Sequence, residues 1–137
     1  LVTTLPVNSP VSAQESISHK AYSHSNGSWI QSNGRWWYKH SDGSYTKNGW
    51  EKINETWYYF DSEGWMKTGW FNEYGNWYYL DDSGAMKTGW CLISGSWYYL
   101  NTSGVMQTGL QTIEGKQYYL ADSGAMQTGW HNIGDDT

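Results

Sequence analysis

The chain is poor in most of the residues that close a fold or recruit a charged partner. Its single cysteine among 137 residues, Cys91, rules out both an intramolecular disulfide and a thiolate metal cluster. The two prolines, Pro6 and Pro10, both fall in the first ten residues. Arginine occurs once, at Arg35, and eight Lys and Arg stand against 13 Asp and Glu, for a net charge of −5. That balance argues against nucleic acid as a partner, because phosphates must be neutralised by basic side chains. No apolar run approaches the ~20 residues of a membrane-spanning helix. Leu, Ile and Val together number 17, of which 11 lie from Ser28 onward. A core of branched aliphatics, the usual kind, cannot be built from so few.

What is abundant is aromatic and arrives in regular doses. The chain has 11 Trp, 12 Tyr and 16 Gly. Four tracts fall into step, at 49–68, 69–88, 89–108 and 109–128, each opening on Gly-Trp or, in the last, Gly109-Leu110. Residues 28–48 form a degenerate earlier copy, with Trp36-Trp37-Tyr38 where later tracts have Trp-Tyr-Tyr and Tyr45 where they have Met66, Met86, Met106 and Met126. Residues 129–137 begin a last partial copy. A fixed short period marks a stack of units that bury their faces on their neighbours, with atypical terminal copies.

Each tract reads as a β-hairpin. Turn formers stand at Asn54-Glu55, Tyr74-Gly75, Ser94-Gly95 and Glu114-Gly115, flanked by aromatic and β-branched residues. If those pairs are the loops, cross-strand pairing and strand alternation put Trp70, Trp77 and Tyr79 on one face. Tyr78 and Leu80 then share the other with Ile53, Ile93 and Ile113. The second strand ends in turn chemistry, Asp81-Asp82-Ser83-Gly84 and its equivalents. The expected fold is all-β, a solenoid of stacked hairpins with about 20 residues per repeat, the Ile/Tyr/Leu face inward. Residues 27–137 make up this array. Residues 1–26 lack the repeat, and Val11-Ser12-Ala13 before Gln14-Glu15 resembles a signal cleavage site. They read as the tail of an export signal or as a linker.

No catalytic constellation is apparent. His19, His24 and His40 lack metal-ligand spacing, and His40 occupies the place of Asp61. The Asp81-Asp82 pair has Asn101-Thr102 as its equivalent, which does not suit paired-carboxylate chemistry. The chain is read as a non-enzyme without metal or cofactor. Trp65 and Tyr74 break the pattern and are assigned to packing or surface.

Gly-Trp, Trp-Tyr-Tyr-Leu, Gly-Ala-Met and Thr-Gly-Trp at these spacings resemble the choline-binding repeats of pneumococcal-type surface proteins, autolysins and phage lysins. The resemblance covers about 28–132. It implies that choline sits in aromatic cages between successive hairpins, with two tryptophans from one repeat, a tyrosine from the next, and a Met wall. Carried onto this sequence, the first set is Trp50, Trp57, Tyr79 and Met86. The second is Trp70, Trp77, Tyr99 and Met106, and the third is Trp90, Trp97, Tyr119 and Met126. A less regular fourth is Trp29, Trp36, Tyr59 and Met66. The face argument selects these tyrosines and assigns Tyr58, Tyr78, Tyr98 and Tyr118 to the core; the middle tyrosines Tyr78, Tyr98 and Tyr118 are the alternative. Leu110 and Gln117 replace both cage tryptophans, so the tract after Gly109 should form no cage of its own.

The resemblance further implies a secreted protein held non-covalently at the bacterial surface by choline of teichoic and lipoteichoic acids. Family members often pair through terminal repeats, so a homodimer is a further expectation. Similar repeats bind glucans, which leaves a carbohydrate-binding module open. The attachment region of a cell-wall hydrolase, its catalytic part outside this chain, is also open.

Overall fold

The structure is a computed structural model that describes residues 26–128. The expectations for 1–25 and for the partial repeat at 129–137 lie outside the described residues. Ten strands of five residues each follow one another: β1 (Ser28–Ser32), β2 (Arg35–Lys39), β3 (Gly49–Ile53), β4 (Thr56–Phe60), β5 (Gly69–Glu73), β6 (Asn76–Leu80), β7 (Gly89–Ile93), β8 (Ser96–Leu100), β9 (Gly109–Ile113) and β10 (Lys116–Leu120). They pair in sequence as five two-stranded sheets, β1 with β2 through β9 with β10. The fold class is therefore all-β, one hairpin per repeat, as the periodicity predicts.

The turns explain the pairing. Ile53 pairs with Thr56, Ile93 with Ser96 and Ile113 with Lys116, which leaves two-residue loops at the expected positions. Both loop residues have positive φ: Asn54 and Glu55 at 50° and 68°, Ser94 and Gly95 at 50° and 88°. Two successive left-handed residues make the tight turn whose twist matches that of paired strands. Register then follows. Trp50 faces Tyr59 and Lys52 faces Trp57, while Glu51 faces Tyr58, so the two faces sort as the alternation predicts.

After each hairpin the chain turns back through a short connector. Met66, Met86, Met106 and Met126 form isolated antiparallel bridges to Phe60, Leu80, Leu100 and Leu120 respectively. Those four partners, with Ile53, are at most 2% exposed. A thin hairpin cannot bury such residues by itself, and the bridged connector adds cover.

Two compact units are distinguished. Among the described residues the first comprises 26–69 and 80–86, and the second 70–79 and 87–128. In the first, Tyr38, Ile53 and Phe60 form a buried cluster against which Trp29, Tyr58 and Met66 pack. A second feature of this unit is polar. Glu51 is fully buried and takes hydrogen bonds from His40 Nε2 (2.9 Å to Oε2) and from the Thr46 hydroxyl (2.7 Å). His40 Nδ1 lies 2.9 Å from Ser44 Oγ. His40, at the register position of Asp61 in the next repeat, is thus a buried hydrogen-bond partner of Glu51.

Candidate functional site

The side chains singled out by the repeat are delivered by two backbone devices. One joins consecutive hairpins. The Met66 amide donates to the Trp36 carbonyl (2.8 Å) and Met86 to Trp57 (2.9 Å) in the first unit. In the second, Met106 donates to Trp77 (2.8 Å) and Met126 to Trp97 (2.7 Å). The connector of one repeat is thereby pinned beside the second tryptophan of the repeat before it, which is why each Met serves as a wall.

The other device is the glycine of the Asp-x-Ser-Gly turn. Gly84 and Gly124 have φ of +87° and +91°, and a β-carbon on either would collide with the thioether of Met66 or Met106 respectively. Gly64 stands in the same relation to the Tyr45 ring, so Tyr45 fills the Met position in packing as well as in register. These three turns therefore reach back onto the Met, or Tyr45 in its place, of the preceding repeat.

Among the described residues a cavity results in each unit. In the second unit, Trp70, Trp77, Tyr98, Met106, Asp122 and Ser123 line a space of about 310 Å³. In the first, Trp29, Trp36, Tyr58, Met66, Asp82 and Ser83 line one of about 350 Å³. Both are at the lower end of small-ligand pocket volumes. The second tryptophans remain partly open to solvent, with Trp36 37%, Trp77 43% and Trp97 42% exposed. Beside the first cavity the Arg35 guanidinium lies over the Trp65 ring at 4.2 Å, which makes Trp65 a packing residue.

The closing tyrosine differs from the one the face argument selects. Tyr98 meets Trp70 edge to face at 4.9 Å, Tyr118 meets Trp90 at 4.8 Å, and Tyr58 meets Trp29 at 4.9 Å. These are middle tyrosines. Tyr59, Tyr79 and Tyr99 instead contact the tryptophan of their own hairpin, Trp50, Trp70 and Trp90, at 5.3, 5.1 and 5.1 Å. Tyr119 pairs across its hairpin with Leu110. The assignment of residues to faces is right, and the alternative, the middle tyrosine, is the one that lines these cavities. Within each unit successive hairpins meet with opposite faces together: the face of one that carries Tyr58, Tyr98 or Tyr118 closes on the tryptophan face of the one before. Tyr58 and Tyr98 thus both pack and line a cavity.

Of the expected sets, three are brought together with that change of tyrosine: Trp29, Trp36 and Met66; Trp70, Trp77 and Met106; Trp90, Trp97 and Met126. In the remaining set Trp50, Trp57 and Met86 belong to the first unit and Tyr79 to the second; within the first, Met86 is bonded to Trp57. The turn residues Asp82, Ser83, Asp122 and Ser123 were not anticipated. They come from two repeats further on, and the only sequence trace of that is the constant spacing between Met and the glycine one repeat later.

Chemically, such a cavity offers indole and phenol faces and a thioether, with few donors. It suits a cation that is apolar on its outside, since ring quadrupoles attract positive charge and methyl groups are well accommodated. Burial, with Asp81 adding to it, raises the Tyr58 hydroxyl above the ordinary phenol range, against a hydrogen bond with Thr56. It remains a neutral phenol. Among the described residues no group of three or more His, Cys, Asp and Glu could hold a metal ion, and no helix is long and apolar enough to cross a membrane.

The chain matches the family model described as choline-binding repeat over residues 47–88 and 107–137. A second, described as a cell wall binding repeat, matches 88–106. No curated protein matches the chain. Among solved structures it is similar to CbpJ from Streptococcus pneumoniae TIGR4, with 42% identity over 77% of this chain and 37% of that one, at a TM-score of 0.73. Choline binding protein F of Streptococcus pneumoniae is 42% identical over 77% of this chain and 39% of its own, with a TM-score of 0.72. The multimodular pneumococcal cell wall endolysin from phage Cp-1, complexed with choline, is 43% identical over 74% of this chain and 31% of its own, with a TM-score of 0.64. The chain spans roughly two fifths of the first two and less of the third. With its 20-residue hairpins and its cavities between tryptophan and tyrosine faces, the chain belongs to the choline-binding repeat family.

Proposed function

We propose that this chain is a non-catalytic attachment module that binds choline, presented as phosphocholine on the teichoic and lipoteichoic acids of a bacterial wall. The observation that carries this reading is the repeated cavity of two tryptophans, a tyrosine and a methionine, seen at Trp70, Trp77, Tyr98 and Met106 and again at Trp29, Trp36, Tyr58 and Met66. A quaternary ammonium has no hydrogen to donate, and such a cavity asks for none. At ~0.5–1 kcal/mol per partly exposed ring and up to ~2 when desolvated, three rings give on the order of 3–5 kcal/mol, about millimolar affinity. One such site is weak. Several on one chain facing a polymer dense in choline gain orders of magnitude through effective concentration.

Trp90, Trp97, Tyr118 and Met126 form a third site in this reading, and Trp50, Trp57 and Met86 contribute to another. The tract from Gly109 forms none, because Leu110 and Gln117 offer no rings. Secretion, retention at the cell surface and pairing through terminal repeats belong to the same proposal. The test is tryptophan fluorescence titrated with choline and, separately, with dextran. Saturable quenching by choline alone supports the reading; a response to dextran and none to choline replaces it with a glucan-binding module.

A further inference from the structure

Each of the two cavities takes a wall from a third repeat. Counting from Trp70 and Trp77, Tyr98 and Met106 come from the next tract, and Asp122 and Ser123 from the one after. Trp29 and Trp36, Tyr58 and Met66, and Asp82 and Ser83 follow the same progression. The glycine next to each Ser, Gly84 or Gly124, packs on the Met of its cavity. That contact is what carries the turn to the cavity wall.

The turns themselves do not need this carboxylate. In the first, Asp81 does the structural work: its Oδ1 accepts from the Ser83 amide (2.9 Å), the Ser83 hydroxyl (2.7 Å) and the Ala85 amide (3.0 Å). In the second, Ala121 stands at that place and Ser123 Oγ accepts from the Ala125 amide instead (3.3 Å). Asp82 and Asp122 are exposed, and neither makes a hydrogen bond or ion pair among the described residues. In the repeat register the same position holds Ser62 and Thr102. A turn that tolerates Ser, Thr or Asp there is not selecting the acid for its own geometry. Yet an acid stands at both turns that line these cavities.

We propose that Asp82 and Asp122 are specificity-determining residues, each setting a carboxylate from the third repeat against the positive end of a quaternary ammonium held in the aromatic cavity. This rests on the choline reading and refines it. Rings and thioether bind the methyl groups of a cationic or a neutral ligand of the same shape, and the carboxylate distinguishes the two. Its attraction is screened by salt, since both groups face solvent.

The test compares choline with its neutral carbon isostere, dimethylbutanol, on the whole chain and on an Asp82→Asn, Asp122→Asn double variant. Binding is followed at the indole N–H signals of Trp36 and Trp77, which report the two cavities separately. The Asn variant is expected to bind choline about two- to five-fold more weakly, the scale of one exposed charge pair. Its affinity for dimethylbutanol should be unchanged, and its choline affinity should lose most of its salt dependence. A variant that binds choline as tightly as the parent, with the same salt dependence, overturns the role of the carboxylates and leaves the choline reading standing. A parent chain that binds no choline at either cavity overturns both.

Discussion

The Tyr98 ring meets the Trp70 indole edge to face from the following hairpin, with centroids 4.9 Å apart. Trp70 also touches Tyr79 of its own hairpin at 5.1 Å, so the indole is held between two phenols of different kinds. One fixes its orientation within the hairpin and the other closes a cavity over it.

The two kinds of tyrosine should respond differently to substitution. Tyr98→Leu is expected to weaken choline binding at the Trp70 cavity by ~0.5–2 kcal/mol, about two- to thirty-fold, and to leave the Trp29 cavity unchanged. Tyr99→Leu removes the partner of Trp90, so it should lower stability more than it affects the Trp70 cavity. Site-resolved titration of the indole signals distinguishes them; equal losses at the Trp70 cavity from both would contradict the stacking described.

Glu55 is the misfit of the hairpin turns. It has φ of +68° where the other described hairpins place Gly34, Gly75, Gly95 and Gly115. A side chain in that conformation costs ~1–2 kcal/mol, and glycine gives back part of the relief through its more flexible unfolded chain. Glu55→Gly should therefore stabilise the protein by about 0.5–1 kcal/mol. The Lys52 pair it loses, 3.5 Å long and mostly exposed, contributes little. Denaturant unfolding measures the change, and a destabilised variant would show that the turn is not strained.

The buried pair of His40 and Glu51 should be sensitive to removal of one member. Glu51 is 0% and His40 4% exposed, so truncation leaves a buried polar group without its partner. Glu51→Ala is expected to cost ~3–5 kcal/mol, and Glu51→Gln less, because the amide oxygen still accepts from Thr46. Thermal unfolding of the three proteins tests the order.

Alkaline pH should weaken the fold. Burial raises the hydroxyls of Tyr45, Tyr58 and Tyr78 above the ordinary phenol range, with Asp81 adding to Tyr58 and Glu73 to Tyr78. The folded state thus prefers the neutral phenol more than the unfolded chain does. Their contribution is complete below about pH 10, where unfolded tyrosine ionises, and is lost as pH rises toward the higher folded values. Unfolding midpoints followed from neutral to strongly alkaline pH should fall over that range; a flat profile would contradict the burial.

Much of this was legible because it is local. Turn pairs such as Ser94-Gly95 specify the loop, the loop specifies the register, and alternation then sorts Trp90 and Tyr99 from Ile93 and Leu100. The relation between successive hairpins is not local. Whether Tyr98 or Tyr99 faces Trp70 depends on which face of one hairpin lies on the next, and a strictly periodic sequence reads the same either way. The reach of Asp122 to a cavity begun at Trp70 was hidden for the same reason. It depends on Gly124 seating on Met106, a contact between repeats that strand periodicity does not encode.

A crystal of this chain grown in saturating choline tests the central claim most directly. The account predicts a trimethylammonium group enclosed by Trp70, Trp77, Tyr98 and Met106, and a second by Trp29, Trp36, Tyr58 and Met66. Choline bound elsewhere, or both cavities empty at saturation, would contradict it.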